Sequence, residues 1–209
     1  MVPICWQISL TQRRCPHDPV SHEPNGVTGR YLRRLDYLSS STSQRIYTGL
    51  TANTHKLAYE LEIDPDYSTY NGSDIIGNWN GTTRDIYIFI YSTSNSVTPF
   101  QIHVGQTGGT AGVSSMNLVS GQFSSIYAEA DDQTSHITTK LNGSTVADGT
   151  FTGGIVTELE MKLRIYTWKT RRFKIWQDDT LKRDFIPVLD LNGTECMYDL
   201  VENKFYYMR

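Results

Sequence analysis

Apolar and polar residues alternate through much of this chain with a period of two, the spacing that sends successive side chains to opposite faces of a strand. In residues 56–63, Leu57, Tyr59, Leu61 and Ile63 alternate with Ala58, Glu60 and Glu62. In residues 85–91, Ile86, Ile88 and Ile90 occupy one face and Tyr87, Phe89 and Tyr91 the other. Such a two-sided apolar strand belongs centrally in a sheet, or keeps its aromatic face for contact. Shorter runs predict strands at 75–79, 100–104, 124–129, 136–141 and 162–168. Residues 172–188 predict two alternating strands around a tight turn at Asp178-Asp179, and 197–206 a short strand with a closing hairpin. Residues 107–121, rich in Gly and Ser, read as a long surface loop. Many short strands separated by turn residues predict an all-β sandwich.

Residues 1–29 break this pattern. Pro3, Pro16, Pro19, Pro24 and Gly26 punctuate them and no period survives, so they read as an extended N-terminal arm or linker with a short strand near 4–10. The sandwich then occupies residues 30–209. Ordering a Pro-rich polar arm costs conformational entropy, so its own domain, a second subunit or a different partner must hold it. Composition supports the strand reading: Tyr, Phe and Trp together make up 11% of the chain, and Thr, Ser, Gly and Asn are frequent. The net charge of −3 names no partner. Its distribution says more. Residues 1–34 hold five arginines against Asp18 and Glu23, a basic arm on an acidic body. Cys5, Cys15 and Cys196 form no even framework. Cys5 and Cys15 could pair within the arm, whereas free thiols fit a reducing compartment. Pro3, Gln7 and Ser9 break the N-terminal apolar run, which no basic residue precedes, so no signal peptide is expected. No run approaches the roughly 20 apolar residues that span a bilayer, so no membrane insertion is expected.

Three segments carry a family resemblance. Arg172-Phe-Lys-Ile-Trp-Gln-Asp-Asp-Thr-Leu-Lys-Arg-Asp-Phe-Ile-Pro-Val188 and Met197-Tyr-Asp-Leu-Val-Glu-Asn-Lys-Phe-Tyr206 resemble the closing motifs of concanavalin A-like (LamG-like) jelly-roll domains found in gut bacterial surface proteins and phage virion proteins. Leu35-Asp-Tyr-Leu-Ser-Ser-Ser-Thr-Ser-Gln-Arg-Ile-Tyr-Thr-Gly-Leu50 resembles their opening, except that Tyr47 replaces the usual Asp before Thr-Gly and Ser43 the usual Gly. The resemblance covers both ends of residues 31–209, while the middle is only compatible in pattern. It implies a concanavalin A-like jelly-roll β-sandwich that binds or displays something and is not an enzyme. It points to a virion component (head decoration, fibre or tail-associated protein) attached through residues 1–29 and assembled in the host cytoplasm. A bacterial cell-surface module, a purely structural subunit-contact protein, a glycoside-active enzyme and a homo-oligomer stay open.

Candidate chemistry is sparse. Asn71, Asn80, Asn142 and Asn192 each open an Asn-Gly-Ser/Thr triplet, formally a glycosylation acceptor. Asn-Gly is also the strongest two-residue hairpin signal, and that reading explains all four. Glu60, Glu62 and Asp64 share one strand face, which invites comparison with retaining glycosidases. One jelly-roll glycosidase family carries Glu-x-Asp-x-x-Glu there. Here Tyr67 replaces the final Glu and Pro65 ends the strand, so a solvated outer face is expected. The five histidines are scattered, and no metal site or cofactor is expected. Lys169, Arg171, Arg172 and Lys174 beside Trp168 and Trp176 form the one dense basic run, which suits the outward face of paired strands better than nucleic-acid binding. For sugars, an exposed aromatic ring with Asn/Asp hydrogen-bonding groups is required. Tyr70, Asn71, Asp74, Trp79 and Asn80 supply that mixture and are the expected glycan site, with Trp79 stacking on a pyranose and Asn80 or Asp74 orienting hydroxyls.

Overall fold

The computed structural model describes residues 33–65, 73–77, 87–90, 98–104, 111–151, 154–155 and 160–209. The compact unit to which they belong is Tyr31–Arg209. The expected arm at 1–29, with its short strand near 4–10 and its two cysteines, lies outside the described residues.

The described residues form strands and turns, without helix. In chain order the strands begin with β1 (Arg33–Arg34), β2 (Gln44–Thr51), β3 (Lys56–Asp64), β4 (Ser73–Gly77) and β5 (Tyr87–Ile90). They continue with β6 (Thr98–Val104), β7 (Ala111–Leu118), β8 (Ser124–Asp131), β9 (His136–Leu141) and β10 (Ser144–Thr150). The last five are β11 (Glu160–Ile165), β12 (Lys169–Gln177), β13 (Thr180–Leu189), β14 (Glu195–Asp199) and β15 (Lys204–Tyr207). One sheet runs β10-β9-β8-β3-β12-β13-β14-β15, with β1 also pairing β13; the second runs β2-β11-β4-β5-β6-β7. The fold is an all-β jelly-roll sandwich of the concanavalin A-like type.

The alternation places the core. Leu57, Tyr59, Leu61 and Ile63 on β3, Ile126, Ala128 and Ala130 on β8, and Phe173 and Ile175 on β12 are fully buried. From the second sheet Ile46, Ile75, Ile76, Leu163 and Ile165 join the same cluster. Burying each large side chain contributes roughly 1.5–3 kcal/mol. A row of aromatic rings crosses the first sheet: Tyr59, Phe173, Phe185 and Tyr206 follow one another at centroid distances of 5.8, 5.9 and 5.1 Å. The Asp178-Asp179 turn joins β12 to β13 as expected, with both residues at positive φ, 47° and 61°.

Three expectations need correction. The loop expected at 107–121 contains strand β7, paired with β6 in antiparallel register. Its Gly, Ser and Asn residues conceal it, because a strand at the end of a sheet is specified by one ladder of backbone hydrogen bonds more than by propensity. Strand β11 stops at Ile165, and the chain bends so that Trp168 turns into the core, wholly buried. Asn142-Gly143 has both residues at positive φ, but at Asn192-Gly193 only Gly193 does, at 80°. There the Asp190 carboxylate accepts the N–H groups of Asn192 and Thr194 and shapes a longer turn. Asn71 and Asn80 lie outside the described residues, as do the side chains of the Tyr87/Phe89/Tyr91 face. The backbone of β5 sits between β4 and β6, inside its sheet as the two-sided pattern predicts.

Candidate functional site

Of the expected glycan residues, Tyr70, Asn71, Trp79 and Asn80 lie outside the described residues. Asp74 is placed by its backbone alone, on β4 opposite Phe89 of β5. A different group of residues forms a pocket on the outer face of the nine-stranded sheet.

That face is built by the residues between the core positions. On β3 these are Lys56, Ala58, Glu60, Glu62 and Asp64. Register sets Glu60 beside Tyr127 of β8 on one side and Lys174 of β12 on the other. It likewise sets Ala58 between Glu129 and Trp176. Small Ala58 leaves the floor low, and Trp176 and Tyr127 rise on either side, their rings edge to face with centroids 6.2 Å apart. The pocket has a volume of about 310 Å³ and is lined by Lys56, Ala58, Glu60, Tyr127, Glu129, Trp176 and Asp179. A bulge lies directly at Trp176: Ile175 pairs with Arg183 and Trp176 with Leu181, leaving Lys182 as the extra residue. Bulges of this kind re-aim side chains beside functional sites.

Hydrogen bonds hold the rim. The Tyr127 hydroxyl donates to Glu129 Oε2 at 2.6 Å. Burial, then that bond, raises the phenol above its ordinary pKa, so it remains a donor. Lys56 Nζ lies 2.6 Å from Asp179 Oδ1 and 3.8 Å from Glu129 Oε1. The bond to Asp179 raises the pKa of the Lys56 ammonium. Lys174 Nζ donates to both Glu60 oxygens, at 3.1 and 3.2 Å, and sits 5.5 Å from the centre of the Trp176 ring. Lys140 Nζ lies 5.3 Å from the Tyr127 ring centre. The turn carrying Asp179 is fixed from below, where Thr54 Oγ1 donates to Asp178 Oδ1 at 2.5 Å and the Asp178 N–H to the Lys56 carbonyl at 2.9 Å. An aromatic wall with donors and acceptors around it can stack an apolar ring face and hydrogen-bond its edges.

The basic run is neutralised one residue at a time. Lys169 pairs with Asp64 at 2.6 Å, Arg171 with Asp36 at 3.1 Å, and Arg172 with Asp184 through two bonds of 2.8 and 2.7 Å. With Lys174 on Glu60, these four cations face carboxylates across the sheet and make no cationic stripe for a phosphate backbone. Of the expected carboxylate row, Asp64 is buried and accepts the Gly121 N–H as well. Trp168 donates its indole N–H to the Arg164 carbonyl at 3.2 Å, so it is a core residue.

The closing motif forms a polar clasp. Arg183, nearly buried, donates Nε to the Thr48 carbonyl at 3.0 Å, reaches Glu202 at 2.7 Å and lies 3.5 Å from Asp199. Asp199 Oδ1 accepts the N–H groups of Asp184 and Val201. The Leu200 N–H returns to the Asp184 carbonyl and the Asn203 N–H to that of Asp199. These bonds fix the β14–β15 turn against β13 and tie it to β2, which is why the motif reads so regularly. The motif is therefore chiefly a structural device, with Trp176 and Asp179 its members in the pocket.

Among the described residues no group of three His, Cys, Asp or Glu side chains is placed to hold a metal ion. No protein-family model matches the sequence. Comparison with curated proteins also finds no match. Solved structures do match the fold. A candidate carbohydrate binding protein from Bacteroides ovatus aligns at a TM-score of 0.57 and 13% identity, over 86% of this chain and 58% of its own. The native heptameric SAP-like pentraxin of Limulus polyphemus aligns at 0.50 and 11% identity, over 72% of this chain and 78% of its own. This chain thus spans somewhat over half the length of the Bacteroides protein. At such identities the likeness is one of fold.

Proposed function

We propose that this chain is a noncatalytic glycan-binding module whose binding site is the Trp176–Tyr127 pocket. The observation that carries the reading is that pocket: two aromatic rings edge to face above Ala58, ringed by lysine ammonium groups and carboxylates on an open sheet face. A pyranose presents an apolar C–H face and a rim of hydroxyls that both donate and accept, which is the complement of this lining. The Bacteroides relative in fold is named for carbohydrate binding, which agrees with the reading without carrying it. Noncatalytic action is supported by the three pocket carboxylates being engaged, Glu60 by Lys174, Glu129 by Tyr127 and Asp179 by Lys56.

The remaining elements of the proposal rest on sequence. The closing motif resembles virion and cell-surface modules, so the setting we propose is display on a virion or cell surface, with residues 1–29 as the attachment. The earlier candidates Tyr70, Asn71, Asp74, Trp79 and Asn80 remain a second proposed contact.

A glycan array separates the two sites. Wild-type protein is expected to bind a subset of neutral oligosaccharides, and Trp176→Ala to lose that binding by at least about tenfold while remaining folded. Loss with Trp79→Ala and retention with Trp176→Ala would move the site to the other candidate. No binding by the wild type to any glycan would overturn the reading.

A further inference from the structure

The turn at the mouth of the pocket is chemically unexpected. Residues 178 and 179 both have positive φ, 47° and 61°. That is the geometry of a type I′ hairpin turn, which Asn-Gly or Asp-Gly satisfies with least strain. The chain uses Asn-Gly for this purpose elsewhere, at Asn142-Gly143, where both residues again have positive φ. At 178–179 it uses Asp-Asp. Asp tolerates this region, as Ser135 and Asn203 do elsewhere in the chain, but glycine would occupy it with less strain, so the use of Asp at 179 directs attention to what its side chain does.

The two aspartates divide the work. Asp178 points back into the protein, anchored by Thr54, and its N–H is held by the Lys56 carbonyl. Asp179 projects outward, its side chain 73% exposed, and lines the pocket. Among the described residues it pairs with Lys56, at 2.6 Å. An exposed pair of this kind contributes little to stability, typically below about 1 kcal/mol, so stability does not account for Asp179. What Asp179 does provide is a carboxylate held by Lys56 at the rim of the pocket that Trp176 also lines.

We propose that Asp179 is the specificity-determining residue of the pocket, accepting hydrogen bonds from adjacent hydroxyls of an uncharged sugar stacked on Trp176. This rests on the glycan reading of the pocket. A carboxylate accepts two hydrogen bonds side by side, so it suits a vicinal diol. The same group works against acidic sugars. A sialic or uronic acid carboxylate entering here meets Asp179, Glu129 and Glu60, while Lys56 and Lys174 are already engaged with those residues. Like charges brought together at this rim disfavour the acidic ligand.

The test uses the full chain with three variants and four probes: manno-, malto- and cello-hexaose as neutral ligands and a sialylated hexasaccharide as the acidic one. Asp179→Gly creates the relaxed Asp-Gly turn. It is expected to keep or raise the melting temperature while weakening neutral-hexaose binding at least about tenfold and narrowing the margin over the sialylated probe. Asp179→Asn, which keeps an acceptor but removes the charge, is expected to lose less neutral binding and to narrow the same margin. A lower melting temperature with unchanged binding in Asp179→Gly would make the residue merely structural and overturn the inference. Trp176→Ala separates the two levels. If it abolishes hexaose binding while Asp179→Gly leaves it intact, the pocket stands and the role of Asp179 falls. If neither variant alters hexaose binding, the pocket reading fails first.

Discussion

Strands β12 and β13 present two faces that share a sequence and little else. Inward, Phe173, Ile175 and Phe185 are fully buried and Arg183 nearly so, the last tied to Thr48, Glu202 and Asp199. Outward, Lys174 and Trp176 are half-buried and meet groups that solvent also reaches. The motif that makes the chain recognisable belongs chiefly to the first face and its clasp. The candidate ligand chemistry belongs to the second. The motif therefore specifies the scaffold, and the proposed binding residue rides on it because a strand shows alternate residues to opposite sides.

The largest expected effect is on the clasp. Asp199 is completely buried, accepts two backbone N–H groups and faces Arg183. Asp199→Ala leaves those donors unmatched and a guanidinium without its buried counter-charge, an expected loss of about 3–5 kcal/mol in urea unfolding. Hexaose affinity of the remaining folded fraction is expected to stay at the wild-type value. A stability change below about 1 kcal/mol would dissolve the distinction between clasp and surface.

The two tryptophans sharpen the comparison at constant chemistry. Trp168 and Trp176 are eight positions apart, one wholly buried and one at the pocket. Trp168→Ala is expected to cost about 3–5 kcal/mol of stability with no direct effect on binding. Trp176→Ala is expected to change stability by about 1 kcal/mol or less and to remove binding. Paired chemical denaturation and calorimetric titration read both, and an exchange of the two outcomes would reverse the assignment.

The two faces differ as well in how legible they are in the chain itself. The alternation at 56–63 and 172–188 is strong because one face of each strand is buried, so a slip of one residue would expose the whole apolar set. β7 and β10 were hidden because sheet ends tolerate Gly, Ser and Asp, and six of the seven β10 residues are exposed. The pocket was hidden for a topological reason. Its walls come from β8, β3 and β12 and the turn after β12, neighbours in space but far apart in the chain. The outward phase of Glu60 and of Trp176 was visible separately, yet nothing in either segment says that they share a cavity. Of the carboxylates that suggested catalysis, Glu60 and Asp64 proved to be partners of Lys174 and Lys169 from the run that suggested nucleic acid, while Arg171 and Arg172 pair with Asp36 and Asp184.

A smaller effect concerns acid. The Thr194 N–H, followed by the Tyr207 hydroxyl and the Asn192 N–H, holds the Asp190 carboxyl below its ordinary value of 3.8. A depressed carboxyl binds fewer protons folded than unfolded, so its stabilisation is present above pH 3.8 and lost as pH falls below it. The β13–β14 turn is expected to loosen first, seen as reduced protection of the Asn192 and Thr194 amides, relative to their intrinsic exchange rates, below that pH. In Asp190→Asn this acid step is expected to shrink. An unchanged step would assign it to other carboxylates.

The smallest effect probes the clasp side from within. Cys196 lies on β14 opposite Val188 and Tyr207, with no exposed surface. Burial pushes its thiol up to about 11 from 9.0. At pH 8 the thiol is protonated and shielded, so a thiol-specific reagent is expected to label it no faster than the protein unfolds. The linkage has the opposite sign to that of Asp190. Above pH 9 the unfolded thiol ionises while the folded one does not, so stability falls as pH rises from 9 to about 11. Cys196→Ala is expected to remove that alkaline slope and leave binding untouched. Rapid labelling of Cys196 in the native protein would instead mean that the clasp opens locally, making the more buried of the two regions also the more mobile.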